Sequence, residues 1–218
     1  FPTRRSSDLH QAWALRLGSF QMPRAANGNV FDSDLRRAHA DNGELTVTLP
    51  RSSTVIRLLG YMNHARMGSY AEALAIGRAT DTPPNIVATD RPGRSKNGWG
   101  INLEQPLADS GETGIFARIG WNDGKNESFV FSEVDRHVSA GVQVSGTRWG
   151  HADDRFGISA VQTGIVQIHR DYLAAGGLGF LRGDGHLNYG PEQIAETYYR
   201  SQLGPYLQVG PDVLYIRN

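Results

Sequence analysis

About nine stretches of this chain alternate apolar and polar residues with a period of two, and the links between them alternate long and short in a fixed order. The stretches lie at about 11–21, 44–50, 54–63, 98–107, 114–122, 132–149, 155–165, 193–203 and 206–216. Successive side chains of a strand point to opposite faces, so this pattern predicts two-faced β-strands. The cleanest sets Val138, Ala140, Val142 and Val144 against Ser139, Gly141, Gln143 and Ser145. A second sets Ile115, Ala117, Ile119 and Trp121 against Phe116, Arg118 and Gly120, and Trp13, Leu15 and Leu17 oppose Arg16 and Gly18 in the same way. Trp99, Ile101 and Leu103 oppose Asn102 and Glu104.

The links at 25–42, 64–97 and 166–192 are long, those at 51–53, 108–113, 150–154 and 204–205 are short, and 123–131 is intermediate. In an up-and-down meander successive links fall at opposite ends of the sheet, so the two ends here differ systematically. Tight turns at one end and long loops at the other are the habit of outer-membrane barrels. A β-sandwich with Greek-key crossings gives no reason for such an order.

Composition closes several other routes. Lys plus Arg and Asp plus Glu are both 22, without a basic block that could track a phosphate backbone, so no nucleic-acid partner is expected. With Cys at 0, disulfide frameworks and thiolate metal sites are excluded. No apolar run approaches the roughly 18 residues of a membrane-spanning helix, but barrel strands need only about 9–11 alternating residues each. The hydrophobic content of 39% and mean hydropathy of −0.42 suit such a barrel and suit a soluble β protein equally. Residues 1–9, FPTRRSSDL, match nothing downstream and read as a non-native scar, and both termini read as breaks in a longer protein.

Two long links carry helix signals. Ser69 and Glu72 have capping-box spacing before an alanine-rich run, and 168–175 ends at Gly176-Gly177. Pro191-Glu192-Gln193 could open a helix, but Thr197, Tyr198 and Tyr199 favour a strand over 193–203. The glycine-rich run within 171–200 invites a phosphate-cradle reading. Gly177, Gly179 and Gly183 do not fit G-x-G-x-x-G, however, and no G-K-[ST] follows. His151, Asp153 and Asp154 read as a solvated turn rather than a metal site, because no second ligand cluster accompanies them. Glu133 and Asp135, two apart on an expected strand, resemble a glycosidase carboxylate pair, although period two delivers such neighbours anywhere. No nucleophile elbow is present.

Several long blocks, in order, resemble the carbohydrate-selective porins of the OprB family: WALRLGSFQMP from Trp13, ARMGSYAEALA from Ala65, GINLEQPL from Gly100, FARIGWNDGKNESF from Phe116, VSGTRWGHADDRFGIS from Val144 and RDYLAAGGLGFLRGDGHLNYGPEQIAETYY from Arg170. The resemblance implies an all-β fold, an antiparallel up-and-down transmembrane β-barrel with short helices in its long loops. About nine strands of an expected 16 would be present, as a partial barrel over residues 10–218 that lacks the first part and the last strand. It implies passive diffusion of mono- or oligosaccharides through the bacterial outer membrane, in contact with its lipid, with no cofactor and no enzymatic chemistry.

In such a barrel the apolar face meets lipid and the polar face lines water. By parity, Arg16, Asn102, Glu104, Arg118, Gln143, Glu196, Tyr198 and Arg200 then point into the lumen as pore-lining candidates. Charged groups can hydrogen-bond sugar hydroxyls, and an aromatic ring can pack on the apolar face of a pyranose. Trp13, Trp99, Trp121 and Trp149 lie near strand ends, where indoles favour the membrane interface. Two other readings stay open from the residues alone. One is a soluble or secreted β-rich carbohydrate-binding module, which would bury its apolar face in a closed core. The other is a glycoside hydrolase using Glu133 and Asp135. The preferred sugar and the oligomeric state are not legible.

Overall fold

The computed structural model describes residues 12–129 and 132–218. The segment 1–9, Gln11 and Phe131 lie outside the described residues. The strands are β1 (Trp13–Gln21), β2 (His39–Thr48), β3 (Val55–Met67), β4 (Arg91–Ala108), β5 (Thr113–Asn122), β6 (Arg136–Ser145), β7 (Arg155–Gly164), β8 (Glu192–Leu203), β9 (Leu207–Val209) and β10 (Asp212–Arg217). Two helices, α1 (Tyr70–Thr80) and α2 (Gln167–Ala174), sit in the two longest links.

Each strand from β1 to β8 pairs antiparallel with its neighbours in chain order, and both β9 and β10 pair with β8. The product is one up-and-down antiparallel sheet, open between β1 and the last strands. The links alternate in length as the sequence indicates, so every long one leaves from the same end. At the other end the turns are tight: 49–54 joins β2 to β3, 109–112 joins β4 to β5, and 204–206 joins β8 to β9.

Strand boundaries differ from the sequence reading where polar residues pair without alternating. Strand β2 starts at His39 rather than 44, because His39 to Gly43 continue the ladder opposite Gly60 to His64. Strand β4 begins at Arg91 rather than 98 and is 18 residues long. The stretch 132–149 shortens to β6 because Ser145 caps a 3-10 turn, Gly146–Trp149, by accepting from Thr147 N. The last stretch breaks into β9 and β10 at Gly210-Pro211, since proline brings no N–H to a ladder; the Pro211 carbonyl still accepts from Tyr199 N at 3.1 Å. Both expected helices form. Ser69 Oγ caps α1 by accepting from Glu72 N at 3.4 Å. The Glu72 carboxylate does not complete a capping box; it pairs with Arg94 at 2.7 Å and Arg91 at 3.3 Å.

The faces of the sheet are inverted relative to a soluble sandwich. Leu17 at 78%, Val138 and Ile158 at 50% and Ile119 at 44% exposure stand outward, whereas Ser139 on the opposite face of β6 is 8% exposed. The buried apolar residues gather at the long-loop end instead. Tyr70, Ala73 and Leu74 of α1 meet Ile86, Ile165 and Tyr172 and Leu173 of α2 in one cluster. A second cluster joins Met22, Ala38, Ala65, Met67 and Phe129.

Four cross-strand pairs on the polar face match a glycine with an aromatic ring: Tyr61 with Gly98, Phe116 with Gly141, His137 with Gly120 and Tyr198 with Gly157. A Cβ on Gly98 or Gly157 would fall within the facing ring, and one on Gly141 would come 2.6 Å from Phe116 Cε1. The glycines let the rings lie flat on the wall instead of standing away from it, as in aromatic rescue of strand glycines. Gly157→Val should therefore destabilise the folded sheet by about 1–3 kcal/mol in a urea titration in detergent. Gly60→Val, at a position with nothing within 4 Å of a new Cβ, should stay within about 0.5 kcal/mol of the parent.

Candidate functional site

Apart from shifts near strand ends, at Ala65/Met67 and Pro106/Ala108, the register runs unbroken across β1 to β8, so face assignments carry from strand to strand. One rung links Thr46, Arg57, Asn102, Arg118 and Ser139. The next links Glu104, Phe116, Gly141, Ser159 and Glu196. Gln143, Gly157 and Tyr198 form another, and Arg155 faces Arg200. Arg16 sits opposite Glu44 on the same face. All eight residues singled out from the sequence thus share one face of the sheet.

That face is laced by cross-strand charge pairs. Arg57 Nη1 and Nη2 donate to Glu104 at 2.6 and 3.4 Å, a forked contact that holds both planar groups. Arg16 Nη1 donates to Glu44 at 3.2 Å and to Thr46 Oγ1 at 2.9 Å. Arg155 donates to Glu112 from Nε at 3.0 Å and from Nη2 at 2.6 Å. Tyr198 Oη donates to Gln143 Oε1 at 3.0 Å, and Arg200 lies 5.4 Å from the Tyr198 ring centre. Arg118 stays exposed, 5.2 Å from the Phe116 ring centre. The Asn102 carbonyl oxygen is buried without a hydrogen-bond partner among the described residues. Gln143, Tyr198 and Arg200 are thus in mutual reach, Asn102 and Glu104 are near neighbours on β4, and Arg16 stands apart on β1.

Arg57, Glu44, Arg155 and Glu112 complete these pairs and were not singled out from the sequence. Only Arg16 and Glu44 stand directly across a strand pair; Arg57 reaches Glu104 diagonally and Arg155 reaches Glu112 in the β4–β5 turn, so these pairs need the register and the turn geometry to be seen.

The 123–129 part of the link between β5 and β6 folds back onto the polar face. Lys96 Nζ, on that face of β4, donates to Asn126 O at 3.3 Å, and Asn126 Nδ2 donates to Ser95 O at 2.7 Å. Gly68 N donates to Glu127 Oε1 at 2.8 Å. Phe129 then reaches β2 and β3, against Ala65 and Ala40.

Glu133 and Asp135 are not neighbours on a strand, as the alternation implied; they precede β6 and anchor this loop cluster. The Glu133 carboxylate accepts from Phe180 N at 2.8 Å and Leu181 N at 2.7 Å, and a Cβ on Gly179 would collide with it. The glycine-rich run does form an anion nest, but its anion is an internal carboxylate. Asp135 Oδ2 accepts from Val166 N at 3.1 Å and lies 3.0 Å from His169 Nδ1. His169 Nε2 is 3.2 Å from Tyr70 Oη, and the two rings stack at 4.3 Å. Lys96 Nζ stands 3.8 Å from Asp135 Oδ1. Asp154 is not a solvated turn residue either: it is 4% exposed and accepts from Tyr199 Oη at 2.6 Å and Gln202 N at 2.9 Å.

A model of the carbohydrate-selective porin family OprB matches residues 5–218. The chain belongs to the OprB family. No curated protein and no solved structure matches it. Among the described residues of this OprB chain no helix is long and apolar enough to cross a membrane, which says nothing about crossing by strands.

The loop anchors of the porin titrate in opposite senses. Burial alone raises the Asp135 carboxyl, but the His169 hydrogen bond and the Lys96 charge outweigh it and hold the group below the usual carboxylate range. Burial pushes Glu127 up to about 7 against the Gly68 N–H, with the negative charge of Asp90 adding to the rise. A raised folded value favours the protonated form, so the Glu127 contribution grows as pH falls from about 8 to about 5. The Asp135 contribution, present above its unfolded value near 3.9, is lost only below that. Protease resistance of the loop cluster should therefore rise from pH 8 to pH 5, and Glu127→Gln should flatten that rise while keeping the Gly68 acceptor. An unchanged pH profile in Glu127→Gln would remove this group as the cause.

Proposed function

We propose that the chain forms part of a bacterial outer-membrane barrel through which sugars diffuse passively, with Arg16, Asn102, Glu104, Arg118, Gln143, Glu196, Tyr198 and Arg200 on the solute side of the wall. The observation that carries this reading is the inversion of the sheet: apolar side chains stand outward and exposed, while the polar face bears ion pairs and receives the folded loops. A soluble binding module would bury the Val138 to Val144 row in a core, and that row faces away from both buried clusters.

The dimensions agree. Strand β6 has 10 residues, and at about 3.4 Å each with a tilt near 40° these rise about 26 Å, close to the apolar band of an outer-membrane barrel. Trp99 and Trp121 face each other at the long-loop end of the outward face, and Trp149 lies at the tight-turn end, donating to Tyr199 Oη at 3.0 Å. Indoles at both rims suit the two interfaces of a bilayer. The residue range 10–218 reads as a partial barrel, since β1 and β10 both leave an edge that a bilayer does not tolerate unpaired. The Glu133 and Asp135 oxygens already hold loop backbone and His169, which favours a structural role over hydrolysis.

On the wall, paired charges cancel much of the local field, whereas the flat rings of Tyr61, Phe116 and Tyr198 offer apolar patches. Weak contacts at several positions speed entry without trapping the solute.

Two measurements test the reading. In the complete protein without other cysteines, Arg118→Cys should react with a membrane-impermeant charged thiol reagent in liposomes, and Val138→Cys should not. Swelling of the same liposomes should be faster for sugars than for amino acids of similar size; equal rates would leave a general pore and remove sugar selectivity.

A further inference from the structure

A groove of about 540 Å³ opens where β4 to β7 meet the long-loop end, and its apolar floor belongs to the outward face. Trp99 and Trp121 lie directly opposite each other there, and Val138 continues the floor toward the centre of the sheet. Arg136 is the register partner of Trp121 and lines the same groove. Arg170 enters from α2: its Nε donates to Ile165 O at 2.9 Å, and its guanidinium lies 3.9 Å from the centre of the Tyr189 ring.

One feature sets this groove apart from the polar wall. No acidic side chain lines it, whereas Glu44, Glu104 and Glu112 stand among the arginines of the polar wall; both of its arginines lack an ion-pair partner among the described residues, as Arg118 and Arg200 do on the opposite face. Two uncompensated guanidiniums therefore sit over a floor of indole and aliphatic surface. Guanidinium forks fit phosphate oxygens bidentately, and the floor takes hydrocarbon. A neutral sugar would leave both guanidinium charges uncompensated, and a simple anion would leave the apolar floor uncovered.

We propose that this groove binds a phosphorylated lipid of the surrounding leaflet, its phosphate on Arg136 and Arg170 and an acyl chain along Trp99, Trp121 and Val138. The proposal rests on the membrane-barrel reading above, because it places the outward face in lipid. Charge complementarity selects the occupant: basic pockets at the rim of a membrane protein attract anionic headgroups, at about a fivefold gain per arginine near the surface.

The test uses the complete protein in liposomes, in a variant whose only tryptophans are Trp99 and Trp121, with brominated phosphatidic acid or brominated phosphatidylcholine as quencher. Phosphatidic acid should quench at concentrations at least about fivefold lower. Arg136→Gln, exposed and without a partner, should reduce that preference, and Arg136→Gln with Arg170→Gln should abolish it while sugar-driven swelling persists. Excess inorganic phosphate should leave the preference intact; displacement by it would assign the groove to a free anion and overturn the lipid. Equal quenching by the two lipids, indifferent to the arginines, would also overturn the site. A separate reporter, Val142→Trp, distinguishes the two failures. If neutral lipid quenches the reporter but no lipid quenches Trp99 and Trp121, another copy of the chain or a loop covers the groove and only this proposal falls. If the reporter too escapes quenching, the membrane-barrel reading falls with it.

Discussion

Antiparallel pairing at a single register is the constraint from which the rest of this structure follows. Side chains alternate with period two, so a slip of one residue between any two strands would exchange the faces of everything beyond it. From β1 to β8 no such exchange occurs. The register irregularities lie at Ala65/Met67 and Pro106/Ala108, near strand ends, where they bend the chain without reversing the wall. Because the register holds, Arg57 meets Asn102, Asn102 meets Arg118, and polar residues distant in sequence form one surface. The same register aligns each flat aromatic ring with a glycine on the next strand, which ties the shape of the wall to its pairing.

An inverted sheet has no interior of its own, so the apolar and ionic cores of the molecule sit in the loops. The long links pack α1 against α2 and tie the 123–129 segment back over β4, and their buried charges do what a hydrophobic core does elsewhere. Removing one member of a buried ionic group strands the others, so Asp135, His169 and Lys96 hold their segments in one arrangement more firmly than exposed pairs would. Those anchors lie at the end of the polar face where a solute would meet the loops first. The chemistry that orders the loops and the chemistry that meets solute are thereby adjacent but separate.

Much of this was legible in the sequence, for physical reasons that differ by region. The row Val138, Ala140, Val142 and Val144 declares both its strand and its separate face, because apolar positions alternate strictly with Ser139, Gly141, Gln143 and Ser145. Link lengths revealed the two unlike ends. The start of β2, HADNG, was illegible because both its faces are polar and only its partner β3 makes it a strand. Arg57 and Glu44 were missed because a charge pair across strands has no signature within either one. Glu133 and Asp135 misled for a related reason: their spacing mimics a strand face, while their partners, the 180–181 amides and His169, lie more than thirty residues away in sequence. The glycine run was read correctly as lacking a nucleotide motif, yet the nest it forms around Glu133 depends on a contact that no local pattern encodes.

The pairing of charges across the polar face bears on what such a wall could select. An unpaired arginine row in a low-dielectric barrel projects a strong field and favours anions, as an acidic row favours cations. Here Arg16 and Arg57 are each met by a carboxylate on a neighbouring strand and Arg155 by Glu112 of the β4–β5 turn, at 3.2 Å or less, so the field of these three is largely cancelled at its source. The ring faces over the wall glycines address a neutral molecule that carries C–H surface on its faces. Arg118 and Arg200 are exceptions, lying near the Phe116 and Tyr198 rings rather than in a salt bridge among the described residues. A cation beside an aromatic ring on an otherwise neutralised wall supplies hydrogen-bond donors and a flat platform together, the combination a pyranose can use and a small ion cannot.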